Sequence, residues 1–310
     1  MPTVVTRRLA LAALLLAVAV SGCGERDEPL GELDQRYPVT VQGAGDRPAV
    51  ATARPERIVA LDSGSAELVI ALGARDRLVG VPATMARGDG PLQAPPPAAD
   101  VVSQGEHVRV DEIRRLEPDL IVATPANDLV DVSRAQRRTE AVAYVQPGSS
   151  VEDVLRATLE LGFLLGEPVA ARQLTSDIRS RVAAVEERVA GRPPATTFVD
   201  TGFFITITNR SLLGDLIRRA GGESVAGATN GGGPVPLGRL RRLDPQVYLA
   251  TSDGRVTLAS LRRNAQTARL TAVREGRFAV LPSDLVNRAG PRIGAALQRV
   301  AEALHPDAFR

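Results

Sequence analysis

Short apolar runs alternate with amphipathic stretches along most of this chain. Ile58-Val59-Ala60-Leu61, Leu78-Val79-Gly80-Val81, Leu120-Ile121-Val122-Ala123 and Val142-Ala143-Tyr144-Val145 are nearly continuous in apolar residues. Runs of that kind suit strands covered on both faces. Between them, Ala66 to Leu72 closed by Gly73, Val110 to Leu116 stopped near Pro118, and Val130 to Thr139 read as helices. Asp62-Ser63-Gly64-Ser65 reads as a turn with capping residues. Strand and helix in alternation predict a parallel α/β lobe over residues 56–150.

The middle of the chain has a different period. Val151 to Leu165 reads as one helix, broken at Gly166-Glu167-Pro168. From Pro168, apolar residues fall at Leu174, Ile178, Val182, Val185 and Val189, steps of four, four, three and four that make one helical stripe. A helix of roughly 23 residues there is about 35 Å long. It ends before Gly191-Arg192-Pro193-Pro194, so 151–191 is a helical connector.

The α/β alternation restarts over 192–310. Strands are expected at Thr196–Asp200, Val247–Ala250 and Phe278–Leu281. Helices are expected at Leu212–Ala220, Leu237–Leu243 and Leu258–Asn264, with a last helix carrying Ile293, Leu297, Val300 and Leu304 on one face. The predicted class is α/β: two Rossmann-like lobes joined by one long helix.

Upstream lies a processing segment. Arg7 and Arg8 precede the uncharged run Leu9–Val20, and Val20-Ser21-Gly22-Cys23 follows. The run is roughly 12 residues where a spanning helix needs about 20, so 1–22 reads as an export signal. Its end resembles the lipobox of bacterial lipoproteins, which makes Cys23 the lipidation site and 23–55 a tether. Within it, Tyr37 to Val41 alternates like a short edge strand.

Composition mostly removes options. The formal charge is +2, which gives no reason to expect nucleic acid. All 38 basic residues are Arg, and without Lys there is no Walker A loop. A single Cys excludes internal disulfides and thiolate clusters. No Gly-x-Ser-x-Gly elbow or His-Glu-x-x-His motif occurs, and two His leave little for acid–base chemistry. The usual catalytic constellations are missing, so an enzyme is not expected.

Four segments carry a family resemblance. They are Pro55-Glu56-Arg57-Ile58-Val59-Ala60-Leu61 running on through Ala66-Glu67-Leu68 to Val81; Val110-Asp111-Glu112-Ile113 through Leu116-Glu117-Pro118-Asp119; Leu216-Ile217 with Ala220-Gly221-Gly222; and Pro291-Arg292-Ile293 through Leu304-His305-Pro306. In this order, behind a lipobox, the chain resembles the substrate-binding lipoproteins of metal-chelate ABC importers, which handle ferric siderophores, haem or cobalamin. The resemblance implies a class III periplasmic-binding-protein-like fold with the ligand between the lobes and no intrinsic cofactor. It also implies an ABC permease and its ATPase as partners, a monomer, and a lipid anchor on the extracytoplasmic face of the membrane. The alternative is a non-transport chelate-binding or sensory lipoprotein derived from the same fold.

In that family one acidic residue per lobe docks on permease arginines. The first position falls on Asp111, with Glu112 beside it; both equally complement a helix N-terminus. The second falls on Gly238, with no acid before Asp244. That departure favours the sensory alternative.

Ligand contacts are expected from loops at the strand ends facing the cleft. The N-lobe candidates are Ser63, Ser65, Thr84, Met85, His107 in Gln104–His107, and Asn127 in Thr124–Asn127. The C-lobe candidates are Phe203, Phe204, Gly231 to Gly233, Ser252, Asp253, Asn287 and Arg288. His107 is either an axial ligand for haem iron, with Met85 on the same rim, or a solvated loop residue. Arg288 is either the partner of an anionic ligand group or a surface arginine. Tyr144 and Tyr248 lie inside predicted strands and read as packing. The absence of Trp weighs against cobalamin, whose sites in this group use Trp and Tyr.

Overall fold

The computed structural model describes residues 36–45, 47–86, 94–225 and 232–310. The export signal, Cys23 and Gly231 lie outside the described residues. Strand β1 (Val39–Val41) pairs antiparallel with β2 (Ala49–Ala51), Val39 opposite Ala51. Residues 39, 41, 49 and 51 face inward while Thr40 and Val50 face solvent. The expected edge strand thus has a partner, too short and too rich in Ala to announce itself.

The N-lobe sheet is built from β3 (Ile58–Ala60), β4 (Leu78–Pro82), β5 (Asp100–Gln104), β6 (His107–Val108), β7 (Leu120–Ala123) and β8 (Val142–Val145). Their spatial order is β6-β5-β4-β3-β7-β8. All pairs are parallel except β5 with β6, a hairpin whose Gly105 sits at φ 60°. From β3 the chain steps outward through β4 and β5 on one side, then returns to build β7 and β8 on the other. Adjacent β3 and β7 are therefore the topological switch point, where connections diverge and leave a crevice at the strand ends.

The helix after β3 begins earlier than the sequence suggested. It spans Ser63–Ala71, because Asp62 Oδ1 accepts the Ser65 backbone N–H at 3.0 Å and caps it. Ser63, Gly64 and Ser65 are its first turn, not a loop.

In the C-lobe, β9 (Ala195–Asp200), β11 (Gly222–Ser224), β13 (Val247–Thr251) and β14 (Phe278–Leu281) form a parallel sheet in the order β11-β9-β13-β14. A separate ribbon pairs β10 (Ile205–Thr206) with β12 (Gly233–Pro234). One sheet face packs Val199, Val247 and Leu249 against Leu297, Val300 and Leu304 of the last helix. The other packs Phe198 and Tyr248 against short helices through Leu240, Leu261, Leu270 and Val273.

The connector helix runs Pro168–Val189, 22 residues, or about 33 Å. Ala171 belongs to the N-lobe core, and Ile178, Val182, Val185 and Val189 belong to the C-lobe core. One rigid element thus seats both lobes. It lies close against helix Val151–Leu165 because Gly162 has no side chain; a Cβ there would be 2.2 Å from Ala171 Cβ.

The lobes also meet directly, Gln146 Nε2 donating to Ala289 O at 3.0 Å. At the start of the connector, Val151 N donates to Asp215 Oδ2 of the C-lobe at 2.9 Å. Burial raises the Asp215 carboxyl, but hydrogen bonds from Val151, Arg218 and Arg219 outweigh it and hold the pKa below the usual range. A Cβ on Gly64 would sit 2.6 Å from Ala289 O, and one on Gly148 2.5 Å from Ala289 Cβ. Backbone therefore meets backbone at this join.

Candidate functional site: the cleft between the lobes

Above the N-lobe switch point lies a cavity of about 830 Å³, within the range of about 300–1,000 Å³ usual for small-molecule sites. Leu61–Gly64 follow β3 into its wall, and Thr124–Ala126 follow β7. Pro147–Ser149 add a third N-lobe segment. The facing wall comes from the C-lobe: Ser211 and Leu212 at one helix start, and Asn287–Ala289.

Buried polar side chains set the floor. Asn127 Oδ1 accepts the Thr124 N–H at 2.9 Å, while Asn127 Nδ2 donates to Leu61 O at 3.4 Å. Ser103 Oγ donates to the same carbonyl at 2.6 Å. These bonds tie the ends of β3 and β7 together and satisfy backbone groups that the crevice leaves unpaired. On the rim, Ser63 Oγ and Thr84 Oγ1 are 2.6 Å apart. Burial pushes the Asp62 carboxyl upward, opposed by hydrogen bonds from Ser65, Gly64 and Thr124.

Two arginines line the cavity, and each has an acid. Arg156 pairs with Asp153 at 3.0 Å. Burial of Asp153 is outweighed by bonds from Ser149, Arg156 and Ser150, which lower its pKa. Arg288 Nη1 donates to Glu67 Oε1 at 3.0 Å, and Arg292 forks onto the same carboxylate at 2.9 and 3.1 Å. Glu67 is on the N-lobe helix Ser63–Ala71 and is fully buried, whereas both arginines belong to the C-lobe. A buried carboxylate with two guanidinium partners clasps the lobes directly behind the cavity wall.

The sequence profile of the periplasmic binding protein family matches residues 58–285. The chain belongs to that family. It is 23% identical over 313 residues to the uncharacterized ABC transporter substrate-binding lipoprotein YvrC of Bacillus subtilis, covering 96% of this chain and 97% of that protein. It is 27% identical over 287 residues to the cobalamin-binding protein of Halobacterium salinarum, covering 87% of this chain and 74% of that one. Solved structures give the same fold. The periplasmic vitamin B12-binding protein BtuF of Vibrio cholerae superposes with a TM-score of 0.70 at 23% identity, covering 83% of this chain and 98% of that one. The periplasmic haem-binding protein RhuT of Roseiflexus sp. RS-1 superposes with a TM-score of 0.72 at 19% identity, covering 82% and 99%. The two-lobed class III fold expected from the sequence is therefore that of this binding protein. Among the described residues no helix is long and apolar enough to cross a membrane.

Of the residues singled out from the sequence, the cleft of the binding protein brings together Ser63, Thr84, Asn287 and Arg288. Ser65 is fully buried and donates its hydroxyl to Asp62 Oδ2 at 2.7 Å. Met85 is buried in the N-lobe core with Val81 and Leu68. Asn127 lies beneath the cavity surface, positioning the strand ends. His107 is exposed on β6, paired with Gln104 across the hairpin, and is not part of the cavity wall. Only Gly105 of that hairpin reaches the cavity. Ser252 and Asp253 are bonded to Ser283 at the end of β13, away from the cavity lining. Tyr144 and Tyr248 are packed in the strands, donating to Glu160 at 2.7 Å and Asp200 at 2.6 Å.

Phe203, like Phe204, lies outside the cavity wall. It is 92% exposed at φ 52°, and Phe204 follows at φ 60°, partly packed on the C-lobe core. Asp200 Oδ1 holds the loop by accepting from Gly202 N at 2.8 Å and Phe204 N at 3.0 Å. Two non-glycine residues in the left-handed region, the first displaying an aromatic ring to solvent, are a local strain of the kind found at binding sites.

The docking candidates are on the surface. Asp111 sits in the first turn of helix Val110–Arg115 and accepts from Arg138 Nη1 at 2.7 Å. Glu112 is paired with Arg115. Gly238 is exposed on helix Leu237–Leu243, beside Arg239, Arg241 and Arg242.

Sequence reasoning missed Glu67. Its signal was present: it is the single charge in a helix that is buried all round, and a lone buried acid requires a cationic partner. Which arginines supply it could not be read, since Arg288 and Arg292 lie more than two hundred residues away in sequence.

Proposed function

We propose that this chain is the extracytoplasmic, lipid-anchored substrate-binding subunit of an ABC importer, and that it takes up a metal chelate in the interlobe cleft. The observation that carries this reading is the cavity of about 830 Å³, walled by both lobes, with its floor fixed by Asn127 and Ser103. Catalysis has no part in it. The protein captures its ligand and hands it to a permease with its ATPase.

The wall chemistry narrows the cargo. Among the described residues, no His, Met, Tyr or Cys lines the cavity. No group of three or more His, Cys, Asp or Glu side chains there is arranged to hold a metal ion. Such a wall suits a chelate whose metal already has a full coordination sphere, a cobalamin or a ferric siderophore. Haem, which takes an axial ligand from protein, suits it less. Arg288 keeps most of its five donors beyond its bond to Glu67 and can meet an anionic group of the ligand. Phe203 can cover an apolar face. The similarity to cobalamin-binding relatives supports the same choice. Docking uses Asp111 on the N-lobe, where the charge faces outward and sets encounter and register more than affinity.

The test is the absorption spectrum of the protein purified from its native host. Corrin bands or a ferric-siderophore charge-transfer band are the expected result. A Soret band that is lost in His107→Ala protein would overturn the choice of cargo and restore axial ligation.

A further inference from the structure

The charge of this chain is strongly uneven. Residues 237–277 hold nine arginines against three acids, a net +6, so the rest of a chain whose total is +2 carries −4. This segment forms the outer layer of short helices on one face of the C-lobe sheet. Leu237–Leu243, Leu258–Arg263, Thr267–Arg269 and Thr271–Arg274 pack on one another and on Phe198 and Tyr248 through Leu240, Leu261, Leu270 and Val273. With the apolar sides turned inward, Arg241, Arg242, Arg262, Arg263, Arg269 and Arg274 are all exposed.

None of these six side chains makes an ion pair or hydrogen bond among the described residues. Several exposed arginines elsewhere are matched: Arg115 by Glu112, Arg134 by Asp131, Arg138 by Asp111 and Arg156 by Asp153. Two of the three acids within the segment are used for local bonding instead. Asp244 accepts from Thr271 N and Oγ1, both at 2.8 Å, and Asp253 is bonded to Ser283. A folded surface that concentrates unpaired guanidinium groups pays a repulsion cost that a polyanionic partner removes.

We propose that this arginine face rests on an anionic lipid surface. Guanidinium forks match phosphate oxygens, and six separate charges spread over four short helices fit a field of lipid headgroups better than a single-point ligand. Each basic residue near such a surface multiplies partitioning roughly fivefold, and the effect fades beyond about 8–10 Å at physiological salt. For its biological setting the proposal rests on the exported, membrane-tethered reading. The vesicle test separates the two, because it reads charge selection whether or not Cys23 carries lipid.

The experiment is sedimentation of the full chain with vesicles of phosphatidylcholine alone or with about 30% phosphatidylglycerol, at low and high salt. Any apolar contribution of the N-terminal segment is common to both vesicle types. Preference for the anionic vesicles is expected, lost at about 0.5 M salt. Arg241→Glu/Arg242→Glu and Arg262→Glu/Arg263→Glu proteins should each lose at least about tenfold of that preference. An Arg137→Glu/Arg179→Glu protein, with the same net charge change elsewhere, should lose little. Equal loss in that control, or no anionic preference in the parent, overturns the proposal. If the vesicle preference survives Arg262→Glu/Arg263→Glu and Arg241→Glu/Arg242→Glu while permease binding falls, the face belongs to an acidic protein partner instead.

Discussion

The two lobes share a strand plan and use it in opposite ways. Each parallel sheet has a switch point, β3/β7 in the N-lobe and β9/β13 in the C-lobe. In the N-lobe the crevice stands open, and the segments that follow its two strands line the cavity. In the C-lobe it is sealed. Gly254 presses on the turn after β9, where a Cβ would lie 2.8 Å from the Thr201 carbonyl carbon, and Gly202 at φ 123° faces Gly254 Cα. Asp200 is buried beside this turn, accepting from Gly202 N, Phe204 N and Tyr248 OH. Burial, then the Asp200 charge, drives the Tyr248 phenol far above its ordinary pKa, so this bond persists at any physiological pH. Topology nominates two crevices; packing at glycines closes the C-lobe one and leaves the N-lobe one lining the cavity. The C-lobe contributes instead through the start of helix Leu212–Arg219 and through Asn287–Ala289.

The largest effect should come from the clasp that holds the lobes in register. Glu67→Ala leaves Arg288 and Arg292 without their buried carboxylate, and should cost about 3–5 kcal/mol in urea unfolding. A change below about 1 kcal/mol would mean that the apolar join alone sets the lobe arrangement.

Next comes the contrast between the crevices. Gly254→Ala forces a methyl into backbone at 2.8–2.9 Å and should cost about 1–3 kcal/mol. Ala126→Ser, exposed in the open N-lobe crevice, should stay within about 0.5 kcal/mol. Equal costs would erase the distinction.

Acid titration sharpens it further. The depressed Asp215 carboxyl contributes stability above its unfolded value of about 3.9, and that stability is lost as pH falls through the folded value. The Asp215→Asn protein should therefore be less stable at neutral pH, by about 1.5–3 kcal/mol, and lose less on acidification. Asp62 has the opposite sign. Its carboxyl is raised by burial, so its contribution is complete below about 3.9 and falls as pH rises through the folded value. Asp62→Asn should flatten that decline, read from urea midpoints between pH 4 and 8.

A small stability effect, of the opposite sign, is expected at the strained loop. Phe203→Gly removes an exposed ring from a left-handed position and should be neutral or stabilising by up to about 1 kcal/mol. The same variant should weaken ligand binding by about tenfold, as loss of an aromatic cover does. Unchanged affinity would remove Phe203 from the ligand contacts.

Much of the fold was legible because buried parallel strands write themselves as apolar runs. Leu120–Ala123, Val142–Val145 and Phe278–Leu281, with helix Val151–Leu165, lie where the pattern put them. Short pairings were not legible. β5 and β6 read Asp100–Gln104 and His107–Val108, and β10 and β12 have two residues each; their register comes from tertiary contacts that no local period records. The site was legible at the level of loops and less so at the level of side chains. Ser63, Thr84, Asn287 and Arg288 reach the cavity, whereas Met85 turns into the core and His107 lies on a hairpin edge. Side-chain direction at a strand end depends on packing that sequence spacing does not fix. The Glu67 clasp needed both lobes in place before it could be seen.

The most direct test of the cleft is equilibrium titration of the purified protein with cobalamin, haemin and a panel of ferric siderophores, alongside a Thr84→Trp variant that fills the cavity mouth. One saturated chelate should bind one-to-one with a Kd at or below the micromolar range, and Thr84→Trp should abolish that binding without unfolding the protein. If no chelate binds the folded parent, or Thr84→Trp binds as tightly as the parent, the cleft is not the chelate site.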